Sequence, residues 1–273
     1  MKIFAIETSC DETACAIVEN GRTVLASKIA SQIAIHTQYG GVVPEVAARE
    51  HLLMVDEIVS QTLQEAQLTP DNIDAFAATL GPGLIGSLIV GVQSAKTLSW
   101  ITQKPFIGVN HLDGHIASNY LDSELKPPFL CLLVSGGHTQ LRLISNYSQT
   151  EIIGETLDDA VGESYDKVAR LLGLPYPGGP NVDKLAKAGS QNPEVTQFVK
   201  LLTLPNPQTQ NEFDFSLSGL KTAVSRQFEK LSNTIPLELL QQLIAWQFQE
   251  RIVKMLTQKT VRAAEHYNIQ TVA

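Results

Sequence analysis

The sequence predicts an α/β protein built as two similar lobes with a cleft between them. Three observations carry that prediction. Apolar residues recur with period two in short runs and with period 3.6 in longer ones. One order of elements, strand–turn–strand–strand–helix–strand, occurs twice along the chain. Each pass also has a tight polar turn directly after its first strand, and helices alternating with strands imply layered α/β packing. The lobes are expected at residues 1–125 and 126–273.

The first pass opens with a strand at Lys2–Glu7, the turn Thr8-Ser9-Cys10-Asp11-Glu12, and a second strand at Thr13–Glu19. Asn20-Gly21 is a strong hairpin signal, and Thr23–Ala30 returns as the third strand. A polar loop with Gly40-Gly41 leads to a helix at Pro44–Gln67, with Pro44 near its first turn and an apolar face of Val46, Leu53, Ile58 and Leu63. Ile73–Leu80 reads as a strand, Gly81-Pro82-Gly83 breaks it, Ser87–Ile101 is a helix, and Pro105–Val109 is a strand. The second pass has strands at Phe129–Val134, Thr139–Ile144 and near Thr150–Ile153, then a helix over Asp158–Leu172. After the loop Pro175–Pro180 come further helices, the longest at Pro236–Tyr267 with Leu240, Leu243, Phe248, Ile252 and Leu256 inward. Ile269–Ala273 begins a strand, so an interrupted βαβ unit is expected there, with at least about 30 residues to follow.

Composition excludes several classes. With 44% hydrophobic and 18% charged residues, the chain has ample core material and is not disordered. No apolar run approaches the length of a membrane span, and Glu7, Asp11 and Glu12 follow the start too closely for a signal or transit peptide. A cytoplasmic chain is expected. Cys10, Cys15 and Cys131 make no metal-type spacing; Cys15 and Cys131 read as buried hydrophobes. The net charge of −8 is uneven. Residues 1–130 carry 7 basic against 14 acidic side chains, whereas 216–273 carry 7 against 4. An acidic chain argues against free-standing nucleic-acid binding, and the basic tail weakens that argument.

Candidate chemistry falls in a few places. Backbone N–H groups in the turns Thr8–Glu12 and Ser135-Gly136-Gly137 suit phosphate oxygens. Asp11 and Glu12 would repel phosphate, so they read better as acid/base groups. His111 and His115, four apart, would share one helical face and could ligate one metal jointly; two unrelated surface histidines is the competing reading. Leu112 stands where a zinc peptidase needs glutamate. Asp158 and Asp159 suit a helix N-terminus, whereas Asp166 is too far into its helix for that. Gly81–Ser87 suits close helix packing, and Phe213–Lys221 reads as a hydrophobic staple with a serine cap.

Taken together, several stretches resemble the universal tRNA adenosine threonylcarbamoyltransferase family. They are Ile6–Thr13, Gly40–Glu45, Gly81–Ser87, Asn110–His115, Leu133–Thr139, Gly154–Pro180 and Phe215–Thr222, in the family's order from end to end. The resemblance implies an actin-like fold of two ribonuclease H-like lobes with a nucleotide in the cleft. It implies a divalent metal, Fe2+ or else Zn2+, on His111 and His115. It places the phosphate of threonylcarbamoyl-AMP at Leu133, Val134, Ser135, Gly136 and Gly137, and the nucleoside at Asp166, Gly179 and Asp183. Glu12, with Asp11 beside it, is then the candidate for handling the proton of the adenine amine.

The implied reaction moves the threonylcarbamoyl group to N6 of the tRNA adenosine adjacent to the anticodon. tRNA is expected to be presented with help from partners, a non-catalytic paralogue and a small ATPase, with no membrane involved. The family pattern continues with a Gly-Gly-x-x-Ala-Asn segment and a later metal-binding aspartate; neither occurs before Val272-Ala273, so a truncated second lobe is expected. Two other readings are a non-catalytic nucleotide-binding scaffold and an actin-fold small-molecule kinase. Both histidines argue against the scaffold.

Overall fold

The computed structural model describes residues 1–207 and 209–273. It divides into two compact units, Met1–Leu125 and Lys126–Ala273. In the first unit β1 (Lys2–Glu7), β2 (Glu12–Glu19) and β3 (Thr23–Ser31) form an antiparallel meander. Its hairpin turns at Asn20 and Gly21, both with positive φ, as the Asn-Gly pair requires. Helices α1 (Ile33–Thr37) and α2 (Pro44–Glu65) follow, then β4 (Ala75–Gly81), α3 (Ile85–Thr102), β5 (Phe106–Asn110) and α4 (His111–Ala117). The sheet order is β3-β2-β1-β4-β5, with β4 parallel to both β1 and β5.

Strand alternation sets the core. Phe4 and Ile6 of β1, Cys15 and Ile17 of β2, and Phe76 and Ala78 of β4 are buried against Val55, Ile58 and Ala95 of α2 and α3. The other face of the same strands carries Ala5, Glu7, Ala14, Ala16, Ala77 and Thr79. Glu7 therefore points away from the core it is strung with.

The second unit repeats the plan. Strands β6 (Phe129–Val134), β7 (Thr139–Asn146) and β8 (Gln149–Glu155) form a meander, followed by α5 (Val161–Leu171), α6 (Gly178–Gln191), α7 (Pro193–Thr196), α8 (Ser218–Leu231) and α9 (Leu237–His266). The final residues return to β6: Leu130 N–H donates to Thr271 O at 3.0 Å, and Ala273 N–H donates to Leu130 O at 2.8 Å. The bridge Leu130–Val272 is parallel, so this segment stands to β6 as β4 stands to β1. Leu240, Leu243, Phe248 and Ile252 of α9 are buried as the periodicity predicts. The α/β class is as read from the sequence.

Three local expectations are corrected. The buried face of α2 is Ala47, His51, Val55, Ile58 and Thr62, whereas Leu52 and Leu53 are exposed. Of the predicted face, Ile58 is buried and Leu63 packs against the core, but Leu53 is not, and a histidine and a threonine hold core positions that a count of apolar residues passes over. The loop before α2 contains the short α1, whose His36 is buried. Lastly, α5 begins at Val161, and Asp158 lies outside it.

Asp158 serves α8 instead. Its Oδ1 accepts from Leu217 N–H at 2.7 Å and Ser218 N–H at 3.2 Å, and its Oδ2 accepts from the Ser216 and Ser218 hydroxyls at 2.7 and 2.8 Å. The expected serine cap is thus replaced by a carboxylate about sixty residues away in sequence, while Phe213, Phe215 and Leu217 are buried beneath. Burial alone would raise the Asp158 pKa, but these four donors outweigh it and hold the group below its ordinary value. A depressed pKa stabilises the fold above the unfolded-chain value and loses that contribution as pH falls through the folded value. Asp158→Ala should lower urea stability by about 0.5–2 kcal/mol at neutral pH and flatten the acid limb of the stability–pH curve. An unchanged acid limb would show that the cap carries no such linkage.

Candidate functional site

In the first unit the turn between β1 and β2 is fixed at every residue from Thr8 to Asp11. The Thr8 hydroxyl donates to Ser87 O at 2.8 Å and accepts from Gly91 N–H at 3.1 Å, inserting itself into the backbone of α3. Gly91 is required there, because a Cβ would stand 2.4 Å from Thr8 Oγ1. Leu84 N–H donates to Ser9 O at 2.8 Å, and a Cβ on Gly83 would meet that oxygen at 2.6 Å. The glycine run 81–87 is therefore a close-packing device, as expected. Gln32 N–H donates to Asp11 O at 3.0 Å.

Cys10 O is held by a buried histidine. Val43 N–H donates to His36 Nδ1 at 3.4 Å, so His36 Nε2–H donates to Gln32 Oε1 at 3.0 Å. The Gln32 amide and the Thr13 hydroxyl then donate to His51 Nδ1, at 3.3 and 2.8 Å, which leaves His51 Nε2–H to donate to Cys10 O at 3.0 Å. Burial lowers the His51 pKa, consistent with this neutral tautomer. Reading the sequence missed His36 and His51. His51 lies within the helix predicted at Pro44–Gln67, but His36 lies in what read as a polar loop, which carried no signal of burial.

On the open face of the sheet, β5 ends at Asn110, whose side chain accepts from Leu112 and Asp113 N–H at 2.9 and 3.3 Å. This N-cap starts α4 at His111 and puts His115 one turn on. The two Nε2 atoms lie 3.1 Å apart. His111 Nδ1 lies 3.1 Å from Ser9 Oγ and 3.4 Å from Glu7 Oε2. Glu7 also accepts from Ser9 N–H at 2.5 Å and from the Thr79 hydroxyl. Burial would raise its pKa, but the His111, Ser9 and Thr79 hydrogen bonds bring it down to about 2, so it is a carboxylate at neutral pH. Glu7 thereby fixes the Nδ1–H tautomer of His111 and leaves Nε2 as a lone pair facing His115.

A pocket of about 310 Å³ opens at this pair, with Glu7, Thr79 and small side chains of the sheet around it. His115 is lowered in pKa by burial and then by His111. Two ligands about 2.1 Å from one ion, at angles of 90–109°, would be about 3.0–3.4 Å apart, so the pair fits joint ligation. Among the described residues no group of three His, Cys, Asp or Glu converges on one point. Asp11 is half-buried in the pinned turn and Glu12 is exposed at the start of β2. Cys10 between them and Ser9 has its thiol pushed up to about 12 by burial, Asp11, Glu12 and Glu7, so it stays protonated.

In the second unit a pocket of about 580 Å³ gathers Val134, Ser135, Gly136, Asp166, Gly179 and Asp183. Leu133 is buried in the core, and Gly137 does not line this pocket. Ser135 N–H donates to His138 O at 2.8 Å and Gly162 N–H donates to Ser135 O at 3.1 Å, which seats the turn on the start of α5. Gly178 N–H donates to Asp166 Oδ1 at 2.7 Å. Gly162 and Gly179 are second residues of α5 and α6, so the first turns of two helices face the pocket; in α5 the Val161 and Gly162 N–H groups are taken by Thr139 Oγ1 and Ser135 O.

The two aspartates in that pocket differ. Burial raises the Asp166 pKa despite the Gly178 N–H and the charge of Arg170. Asp183 Oδ1 accepts from Gln249 at 2.8 Å, and Gln249 in turn accepts from the Tyr165 hydroxyl at 3.3 Å. Burial and then Asp183 push Tyr165 up to about 12. Tyr165, Tyr176 and Gln249 went unread in the sequence, since each lies on an otherwise ordinary helix or loop. The arrangement suits a ligand with an anionic end, hydroxyl donors and a flat apolar part.

Two glycines test these placements. A Cβ on Gly162 would stand 2.7 Å from Gly136 Cα, and one on Gly178 would stand 2.6 Å from Asp166 Cα. Gly162→Ala and Gly178→Ala should each cost about 1–3 kcal/mol in denaturant stability, since backbone on both sides must move. Gly219→Ala, with open space at its Cβ, should cost far less.

A family model described as TsaD, tRNA N6-adenosine threonylcarbamoyltransferase, matches residues 23–273. A protein of that name from Clostridium novyi (strain NT) is 48% identical over 274 residues, spanning 100% of this chain and 78% of the relative. One from Nostoc sp. (strain PCC 7120 / SAG 25.82 / UTEX 2576) is 52% identical over 276 residues, spanning 99% and 78%. Among solved structures, a ROK hexokinase from Thermus thermophilus aligns at 13% identity and TM-score 0.47, over 95% of this chain and 89% of that one. By the family match and these identities, the chain belongs to the tRNA N6-adenosine threonylcarbamoyltransferase family, whose reaction modifies adenosine N6 in tRNA.

Proposed function

We propose that the chain transfers the threonylcarbamoyl group from threonylcarbamoyl-AMP to the adenosine beside the anticodon, as a metal-dependent acyltransferase of the cytoplasm. The observation that carries this reading is the pocket of the second unit, where an anion-binding turn, two helix starts and two aspartates meet. Gly136 would take the phosphate through its backbone N–H group, helped by Gly179 at the start of α6, with Ser135 shaping the turn through its hydrogen bond to His138. Asp166 and Asp183 would accept from ribose hydroxyls, as acidic residues do in other nucleotide sites.

An aromatic amine is a weak nucleophile, so the acyl group must carry a good leaving group. N6 attacks the carbamoyl carbon, the C–O bond to phosphate breaks, and AMP departs with the electron pair. Hydrogen bonds at the phosphate stabilise that departing charge. Glu12, exposed beside the pinned turn, would take the N6 proton, with Asp11 adding negative potential next to it. His111 and His115 would hold Fe2+ or Zn2+, which would supply Lewis-acid stabilisation of developing negative charge. Ser9 and Glu7 orient His111 for that task.

The partner proteins belong to the same proposal. The first 130 residues are strongly acidic, which disfavours unaided RNA binding. Leu52 and Leu53 on α2 and Ile85 and Ile89 on α3 expose apolar surface suited to a protein partner, in this reading the non-catalytic paralogue, with the small ATPase completing the assembly.

Metal content and single-turnover transfer from threonylcarbamoyl-AMP to tRNA test the reading together. His111→Ala should lose the bound metal and lower transfer at least about 100-fold. Glu12→Gln should keep metal and AMP affinity while slowing transfer by about 10²–10⁴. Undiminished transfer by Glu12→Gln removes Glu12 from the mechanism, and full metal content in His111→Ala removes the histidine pair.

A further inference from the structure

Asp183 is exposed on α6, where an acidic side chain ordinarily samples several rotamers. Here it is tied to two other helices. Gln249 of α9 donates from Nε2 to Asp183 Oδ1 at 2.8 Å, and the Tyr165 hydroxyl of α5 donates to Gln249 Oε1 at 3.3 Å. The direction of each link follows from the groups. A carboxylate only accepts, so the amide turns its nitrogen to Asp183 and its oxygen to the phenol. Burial and then Asp183 push the Tyr165 pKa up to about 12, so the phenol keeps its proton and remains a donor.

The far end of this relay is anchored in the core. The Tyr165 ring packs edge-on against Phe248, with centroids 5.0 Å apart, and Phe248 is fully buried. Gln249 stands at one end of a stripe with Ile252, Val253 and Leu256, and their spacing puts all four on one face of α9. That face lines the pocket, so helix packing holds the amide at the pocket wall. One oxygen of Asp183 is engaged there. No second hydrogen bond reaches its side chain among the described residues, which leaves Oδ2 to a ligand.

We propose that Gln249, backed by Tyr165, is a positioning residue that aims the remaining oxygen of Asp183 at a ribose hydroxyl, and so makes this pocket select ribonucleotides over deoxyribonucleotides. Gln249 acts through Asp183 and not on the nucleotide itself. Fixing one rotamer before binding removes an ordering cost that a ligand using Asp183 would otherwise meet. A ligand that lacks the hydroxyl gains nothing from that arrangement. An amide suits the task better than lysine or arginine, because it orients the carboxylate without a competing full charge. The proposal rests on the nucleotide reading of this pocket given above, and not on the roles of Glu12 or the histidines.

The test is calorimetric binding of AMP, 2′-deoxy-AMP and 3′-deoxy-AMP to the whole chain, with melting curves to establish that each variant folds. The wild-type chain should prefer AMP to at least one deoxy analogue, because the missing hydroxyl leaves Asp183 unpaired. Gln249→Leu should bind AMP roughly three- to tenfold more weakly and that analogue as before, so the preference shrinks by the same factor. Tyr165→Phe, which keeps its ring on Phe248, should move the preference in the same direction by less. On an Asp183→Ala background, Gln249→Leu should add no further loss, since nothing is left to position. Gln249→Ala gives the same readout should leucine disturb folding. A folded Gln249→Leu that keeps the full preference, or that loses AMP and both analogues equally, would overturn the proposal and leave the nucleotide reading standing. A further loss on the Asp183→Ala background would do the same. A wild-type chain that binds no AMP, or binds all three alike, would overturn the proposal together with the ribose contacts it rests on.

Discussion

The first unit depends on one constraint, the immobilisation of the β1–β2 turn. Thr8 is threaded into the α3 backbone and Cys10 O is held by His51, so the turn cannot relax without opening two helices. Everything used at the open face follows from it. Ser9 reaches His111 because Leu84 holds its carbonyl, and Glu7 reaches both because β1 alternation turns it away from Phe4 and Ile6. The buried chain His36–Gln32–His51–Thr13 is satisfied at each link, which makes a polar interior compatible with a stable core.

The second unit meets the same need by different means. Its turn after β6 is held by contact of glycine backbone, Gly162 against Ser135 and Gly136, where the first unit used side chains. Side-chain pinning leaves carboxylates and histidines at the open face; glycine packing leaves backbone, with no side chain at Gly136, at the turn. One topology thus yields two chemistries, one suited to proton and metal work and one to anions.

The fold was largely legible because period and turn chemistry agreed. Asn20-Gly21, the two Gly-rich breaks and the long α9 each gave one answer at every level. The face of α2 was not legible, since His51 and Thr62 are polar by type and buried by virtue of partners far away in sequence. Asp158 shows the same limit: only the returning chain at Ser216–Ser218 reveals which helix it caps. For the site, the histidine spacing predicted one helical face and the helix is there. Tyr165 and Gln249 were invisible, because a pocket lined from helix flanks leaves no local pattern.

Asn110 has a wider consequence. α4 is seven residues long, too short to persist by its own helical propensity. Its shape is set by the Asn110 amide at the first turn and by the burial of Leu112 and Ile116. On the proposed reading, occupancy of the histidine pair and helicity of α4 would be coupled, each stabilising the other. A weakened cap would register as lost affinity at the imidazoles, and a tightly gripping ion would mask the loss of the cap. In this small helix, a residue that would touch no ligand would then govern how firmly one is kept.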